Sequence, residues 1–156
     1  MKVLVVFDSV SATKMTEKVA KTIAGAMKER GAEVDCLYYK DVKLEAAKGY
    51  DCLIVGSPTM AWKPTKEIIQ FLDGLSGGSS RGKLAAAFDT QIQMRISGNA
   101  TKAIEAKLGE LGFKLISPPL VSYVEGKTDH YQMKEGELDK ARTWATDLAK
   151  NLPKAI

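Results

Sequence analysis

Hydroxyl side chains cluster directly after the first apolar run of the sequence. Ser9, Ser11, Thr13 and Thr16 fall within eight residues, and Lys14 adds a positive charge among them. A helical pattern follows, so these groups stand at a helix N-terminus, where unpaired backbone N–H groups and the helix dipole attract anions. The cluster therefore predicts a phosphate site, and helix capping by the same hydroxyls is the alternative.

The loop that follows the apolar run Cys52–Val55 combines stiff and aromatic residues. It covers Gly56–Pro64 and contains Pro58, Met60 and Trp62. A flat cofactor needs a flat apolar wall, which an indole ring supplies, so this loop predicts a ring-binding surface. In the alternative interpretation the tryptophan folds back onto the hydrophobic core.

A third loop, over residues 89–99, is polar. Its Thr90 and Gln91 could contact the polar edge of a heterocycle, and an ordinary surface loop is the alternative. The motifs GxxxxGK[ST] and GxGxxG do not occur in the sequence. Their absence argues against a Walker A nucleotide site and against a dinucleotide bound in the Rossmann manner.

Short strand-like runs alternate with helical patterns along the chain. Runs that are apolar on both faces predict central strands, and more polar alternating runs predict strands nearer an edge. The predicted strands are Lys2–Phe7, Glu33–Tyr38, Cys52–Val55, Leu84–Phe88, and a fifth made of Lys114–Ile116 and Val121–Val124 around the interruption Ser117-Pro118-Pro119. The predicted helices run from Thr16 to Gly31, from Pro64 onward, after Ser97 as N-cap, and from about Lys134 onward.

This alternation predicts an α/β fold, with helices on both faces of a parallel sheet joined by right-handed crossovers. Five strands in 156 residues suit the doubly wound order 2-1-3-4-5, and we expect a single domain over residues 1–156. In such a sheet ligands bind beyond the carboxyl ends of the strands at the switch point. The three loops described above would meet there.

Composition narrows the classes of function. The net charge is +4, and the basic residues are spread over predicted helix faces, which argues against nucleic-acid binding and suits an acidic protein partner. No segment approaches the roughly 20 apolar residues of a membrane helix, and the apolar start Val3–Phe7 is too short for a secretory signal. Cys36 and Cys52 lack CxxC spacing, which predicts free thiols in a cytoplasmic protein, with a disulfide as the alternative.

The three loops, taken in order, resemble those of the flavodoxin family. The hydroxyl-rich loop before TEKVA resembles a phosphate-binding turn, and GSPTMAWKP resembles the second flavin loop. The segments FDT and SGNATKAIEAKLGELG resemble the third flavin loop with its helix. The stretch Met133–Arg142 is similar to single-domain flavodoxins and to the flavodoxin modules of flavodiiron proteins. The resemblance implies a flavodoxin-like three-layer sandwich.

The resemblance also implies a bound FMN that carries electrons to a redox partner protein, with no catalytic residue and no metal, in a monomer or weak dimer. The residues that it assigns to the cofactor are Ser9, Ser11, Ala12, Thr13, Lys14, Met15, Thr16, Ser57, Pro58, Thr59, Met60, Ala61, Trp62, Asp89, Thr90, Gln91, Ser97 and Gly98. Where the third loop of the family carries a tyrosine, this sequence offers Gln91, Met94 or Arg95. We hypothesise that Arg95 near the ring stabilises the negative charge of reduced flavin.

Three rival interpretations share this fold. One is an FMN-dependent NAD(P)H or quinone reductase, and another is an interaction module that has lost FMN. A receiver-type signalling domain needs a phosphorylatable aspartate after the third strand, where this sequence has Gly56-Ser57-Pro58-Thr59. His130, the single histidine, is expected to be a solvated loop residue, with partner docking or proton supply as the alternative.

Overall fold

A central sheet with helices on both faces forms the frame of the molecule. The computed structural model describes residues 1–9, 14–60, 63–75, 80–92, 99–127 and 130–153. The strands are β1 Lys2–Phe7, β2 Glu33–Tyr38, β3 Cys52–Pro58, β4 Leu84–Ile92, β5 Lys114–Leu115, β6 Leu120–Lys127 and β7 His130–Met133. The helices are α1 Met15–Glu29, α2 Leu44–Ala47, α3 Lys66–Asp73, α4 Ala100–Glu110 and α5 Glu137–Lys150.

The strand order is β2-β1-β3-β4-β6-β7, with the short β5 pairing with the start of β4. The first six strands pair in parallel, whereas β7 pairs antiparallel to β6. The predicted order 2-1-3-4-5 is therefore confirmed, with β5 and β6 sharing the fifth place. The predicted number of five strands is wrong, because Pro118 and Pro119 separate β5 from β6 and the chain then folds back as β7.

The sheet buries one apolar face under α1 and α5 and the other under α3 and α4. Val3 and Val5 of β1 enter the first core, while Leu4 and Val6 enter the second, because successive strand residues point to opposite faces. All four side chains are fully buried. Double-sided burial explains why the central strands read as continuous apolar runs.

Three helix starts differ from the predicted ones. The helix predicted from Pro64 begins at Lys66, because the side chain of Thr65 caps it by accepting a hydrogen bond from Ile68 N at 3.4 Å. Asn99, not Ser97, is the N-cap residue of α4, and Ser97 lies outside the described residues. The last helix begins at Glu137 because Gly136 adopts a left-handed conformation with φ 83°.

Both cysteines are free thiols. Cys36 of β2 pairs with Val5 and Cys52 of β3 pairs with Val3, so β1 lies between them. Two strand spacings put their backbones roughly 9–10 Å apart, too far for a disulfide. The alternative of a disulfide is therefore wrong.

Candidate functional site

The carboxyl ends of β1, β3 and β4 meet at one edge of the sheet, and Thr90 joins the three loops that follow them. The hydroxyls of Thr16 and Thr90 are 2.7 Å apart and buried. Thr59 N donates a hydrogen bond to Thr90 O at 2.9 Å. One residue of β4 thus fixes both the start of α1 and the loop after β3.

Neither Lys14 nor Thr16, the described residues at the N-terminus of α1, caps this helix with its side chain. Lys14 is its N-cap residue, in a left-handed conformation with φ 53° and with no capping hydrogen bond from its side chain. The Thr16 hydroxyl is engaged with Thr90, so neither of these residues caps the helix in the way that Thr65 caps α3. The positive end of α1 therefore keeps donor groups to which neither side chain offers an acceptor.

Ser9 lies at the carboxyl end of β1 beside this helix start. Its backbone N–H donates to Asp8 Oδ1 at 2.8 Å, and the Asp8 side chain is buried. The buried Ser9 Oγ has no hydrogen-bond partner among the described residues. A buried hydroxyl without a partner is costly, so this atom marks a place where a polar ligand would be stabilised.

The loop after β3 is held in shape by Ser57. Its fully buried hydroxyl accepts a hydrogen bond from Thr65 N at 3.0 Å and donates one to Pro58 O at 2.9 Å. Farther along, the backbones of Met60 and Lys63 exchange two hydrogen bonds, at 2.7 and 3.0 Å. Ser57 therefore shapes the loop from inside, while the Met60 side chain stays 50% exposed at its tip.

The fully buried carboxylate of Asp89 is the centre of a hydrogen-bond network at the end of β4. Its Oδ2 accepts from Thr59 Oγ1 at 2.9 Å and from Gln91 Nε2 at 3.0 Å. Gln91 Nε2 also donates to Asn99 Oδ1 at 2.7 Å, and Thr59 Oγ1 accepts from Ala100 N at 3.0 Å. The network ties the loop after β3 to the beginning of α4.

Burial raises the pKa of Asp89 to about 6, because an ionised carboxylate is poorly stabilised away from water. The hydrogen bonds from Thr59 and Gln91 and the nearby backbone N–H groups of Ala100 and Ser122 lower the pKa by less than burial raises it. Oδ1 makes no hydrogen bond of good geometry within the described segments. Near neutral pH the ionised Asp89 is therefore a buried negative charge that the surrounding hydrogen bonds compensate only in part.

A cavity of about 100 Å³ opens among the first residues of α1, the end of β3 with the residues after it, and the last residues of β4. Its walls combine hydroxyl and amide groups with apolar side chains, and two large apolar residues on its rim, Met60 and Ile92, are 50% and 41% exposed. The lining residues are Met15, Thr16, Pro58, Thr59, Met60, Thr90, Gln91, Ile92, Val124 and Tyr131. An apolar cleft with a few polar groups converging on it is the usual form of a small-molecule site.

The predicted site residues divide into three groups. Those that line the cavity are Met15, Thr16, Pro58, Thr59, Met60, Thr90 and Gln91. Ser9, Lys14, Ser57 and Asp89 are described but do not line it. Ser11, Ala12, Thr13, Ala61, Trp62, Ser97 and Gly98, together with Met94 and Arg95, lie outside the described residues.

Three lining residues were missed by the sequence analysis: Ile92, Val124 and Tyr131. Ile92 continues the predicted strand Leu84–Phe88, and Val124 ends the predicted segment Val121–Val124. Both residues therefore lie at the carboxyl ends of strands, where ligands bind in such sheets. Tyr131 belongs to β7, for which the available sequence signal was the alternation of polar His130 and Gln132 with the larger, more apolar Tyr131 and Met133. His130 is exposed as expected, but it lies in this strand and not in a loop.

The described residues contain no group of three or more histidine, cysteine, aspartate or glutamate side chains that could hold a metal ion. Nor does any helix within the described ranges have the length and hydropathy to cross a membrane.

Comparison with known proteins gives one family. A family model described as Flavodoxin matches residues 5–144. A comparison with curated proteins finds no match.

Solved structures with the same fold include a flavodoxin from the domain Archaea, which has 25% sequence identity and a TM-score of 0.77, over 96% of this chain and 97% of that one. Flavodoxin 2 from Bacillus cereus has 23% identity and a TM-score of 0.81, over 97% and 100% of the two chains. The rubredoxin:oxygen oxidoreductase of Desulfovibrio gigas has 22% identity and a TM-score of 0.74, over 96% of this chain but 35% of its own.

Proposed function

This chain belongs to the flavodoxin family, and from that premise we propose that it binds FMN in the cavity between its three loops and carries electrons between redox partners. The observation that carries the proposal is that one cavity joins the first turn of α1, which no described side chain caps, to an apolar wall. FMN has the matching two ends, a phosphate and a flat heterocyclic ring. When bound, it supplies the electron-accepting and electron-donating chemistry.

The described residues fit a phosphate at the α1 end of the cavity. The first-turn N–H groups of α1 are donors, and the exposed Lys14 directly precedes them with a compensating charge. The buried Ser9 hydroxyl, which has no partner among the described residues, is a further donor on the same side of the sheet's carboxyl edge. A helix N-terminus behaves like about half a positive charge, which favours an anion held there. We assign phosphate binding to Ser9, Lys14 and Thr16, together with Ser11, Ala12 and Thr13 of the same loop.

The opposite end of the cavity fits the ring. Pro58 and Met60 offer an apolar surface, and we assign Ala61 and Trp62 of the same loop to the ring as well. Burying such apolar surface against a ligand stabilises the complex by roughly 25 cal/mol per Å².

The side-chain amide of Gln91 has a fixed orientation that suits a hydrogen bond with a polar edge of the ring. Both hydrogens of its Nε2 are used, one toward Asp89 and one toward Asn99. Turning the amide over would place its oxygen against two other oxygens, so the orientation is fixed. Its Oε1 is then the group left to accept a hydrogen bond, and an N–H of the flavin ring is the matching donor. We assign Thr90, Ser97 and Gly98 to this edge as well.

The proposal extends to the setting of the protein. We infer a cytoplasmic electron carrier that forms one domain over residues 1–156 and meets an acidic redox partner, because the chain carries a net charge of +4 and two free thiols. None of the described residues that line the cavity is a histidine, lysine, aspartate or glutamate, as suits a site that positions a cofactor and transfers no protons itself.

The test is a binding experiment with purified apoprotein. Added FMN should bind at one equivalent per protein chain. The complex should show oxidised-flavin absorption bands at about 370 and 450 nm, and these bands should bleach on reduction with dithionite. Riboflavin, which lacks the phosphate, should bind more weakly than FMN. If FMN fails to bind, or binds no better than riboflavin, the proposed site at the α1 N-terminus is wrong.

A further inference from the structure

The β6–β7 hairpin rises beyond the carboxyl edge of the sheet. β4 ends at Ile92, which pairs with Val124, yet β6 continues to Lys127 and there pairs with β7. The pair Gly126–Tyr131 therefore lies two residues, roughly 6–7 Å, past the end of β4. This places Tyr131 at the height of the cavity and not beside the core of the sheet.

Tyr131 points toward the cavity side of the hairpin. Directly paired residues of antiparallel strands share a face, and so do alternate residues along a strand. Val124, Tyr131 and Met133 therefore share one face of the hairpin. Val124 and Tyr131 both line the cavity, and Met133 packs against the core under α1 and α5.

The residue opposite Tyr131 leaves space for its ring. Gly126 has φ +132°, and a Cβ at this position would lie 2.0 Å from His130 O. Only glycine fits, so Tyr131 has no cross-strand side chain beside it on its own face. The half-buried phenol ring is thus free to pack against a ligand in the cavity.

The base of the hairpin is fixed to α5. Tyr123 N donates to Glu137 Oε1 at 2.7 Å, and Lys140 Nζ donates to the same oxygen at 2.9 Å. Lys134 N donates to Tyr123 O at 3.1 Å, which closes the chain after β7. A hairpin held at its base presents Tyr131 in a defined place, as a binding residue requires.

The cavity has apolar groups on both sides of β4. Pro58 ends β3 and Met60 follows it, while Val124 and Tyr131 belong to β6 and β7. Three strand spacings, about 14 Å, separate the backbones of β3 and β7, so these apolar groups approach the cavity from two different sides. The polar ends of Thr90 and Gln91 lie between these two apolar sides.

We propose that Tyr131 is a ring-binding residue of this site, packing its phenol ring against the flavin from the β7 side and excluding water from it. The inference rests on the proposed function and adds a residue from a part of the fold that the three loops do not include. Aromatic contact adds affinity beyond the apolar area that it buries. We assign Tyr131 to the ring because the face of a phenol offers aromatic and apolar contact, which suits a flat heterocycle and not a phosphate.

The test compares the dissociation constants of FMN and riboflavin for the wild-type apoprotein and for its variants. Tyr131→Ala and Tyr131→Leu should weaken both ligands by about tenfold, leaving the ratio of the two constants unchanged. Tyr131→Phe, which keeps the ring and removes only the hydroxyl, should stay within about twofold of wild type. His130→Ala and Gln132→Ala are matched controls, because both residues flank Tyr131 with exposed side chains, and they should bind like wild type.

The outcomes separate the inference from the proposed function. If the wild-type protein binds no FMN, the proposed function fails and the inference fails with it. If the wild type binds FMN but folded Tyr131→Leu protein binds both flavins within about twofold of it, the inference alone is wrong. A loss of FMN affinity without a loss of riboflavin affinity would likewise overturn it, because the ring is common to both ligands.

Discussion

Replacing Asp89 with asparagine should make the pH dependence of folding stability visibly flatter. Asparagine keeps an oxygen for the hydrogen bonds from Thr59 and Gln91 but carries no charge. In the wild-type protein the folded-state pKa is raised from 3.8 to about 6 by burial. The folded protein therefore holds a proton that the unfolded chain has already lost, and stability falls as the pH rises between these two values.

The size of the effect follows from the width of this pH window. The pKa rises from 3.8 to about 6, and one pH unit corresponds to about 1.4 kcal/mol, so ionising Asp89 costs the folded protein up to about 3 kcal/mol. The cost is absent below about pH 4 and complete above about pH 7. The asparagine variant should therefore gain up to about 3 kcal/mol relative to wild type between these two pH values.

Urea unfolding of the two apoproteins at several pH values from 4 to 8 measures this directly. The difference between their free energies of unfolding is the useful quantity, because any cost of the asparagine amide that does not depend on pH cancels from the comparison. Asp147→Asn is the control, since that side chain is exposed on α5 and its replacement should leave the difference between the pH profiles near zero. Parallel stability curves for wild type and Asp89→Asn would refute the argument.

Three further changes test other parts of the structure. Gly56→Ala should destabilise the protein by several kcal/mol in urea unfolding, about 3 or more, because the added Cβ would lie 2.0 Å from the buried ring of Phe88; wild-type stability would contradict the close packing described. Gly25→Ala, in the exposed middle of α1 with no atom within 4 Å of the new Cβ, should instead raise stability by about 0.5–1 kcal/mol in the same assay, and a loss would show that α1 packs differently. Thr16→Val removes the buried hydroxyl pair with Thr90 and should cost about 1 kcal/mol; it should also weaken FMN more than riboflavin in a binding titration, and an equal effect on both would argue against a phosphate at this end.

The sequence was sufficient to predict the parallel sheet and the meeting place of the loops. The runs Lys2–Phe7 and Leu84–Phe88 are apolar on both faces, and that pattern alone identifies strands covered by helices on each side. Chain order and the rule for doubly wound sheets then bring the ends of β1, β3 and β4 together. This reasoning places Met15, Thr16 and Thr90 near one another, and all three line the cavity.

The hairpin formed by β6 and β7 could not be predicted in the same way. His130–Met133 is short and mostly polar, so its propensity for a strand is weak without its partner. Its pairing depends on the positive φ of Gly126, and Gly126 adopts that conformation where β7 pairs with β6. The inward position of Tyr131 is a result of this tertiary pairing, and local pattern does not contain it.

The roles of Ser57 and Asp89 were also beyond local pattern. The resemblance to the flavodoxin family implies that both residues contact a cofactor, and this stays a prediction. The structure buries both completely and uses them to hold those loops in shape. A charged side chain is rarely found fully buried. Only the positions of Thr59 and Gln91 in space make the burial of Asp89 understandable.

The two thiols lie on the strands that flank β1, so their reactivity can report which part of the sheet opens. Cys52 belongs to a central strand and Cys36 to the outermost one, and burial raises their pKa values to about 12 and about 11, so both react slowly with alkylating reagents in the folded state. Fraying of the β2 edge would uncover Cys36 alone, whereas Cys52 becomes reactive only when the middle of the sheet separates. The relative labelling rates of the two residues would thus distinguish opening at the edge from loss of the whole structure.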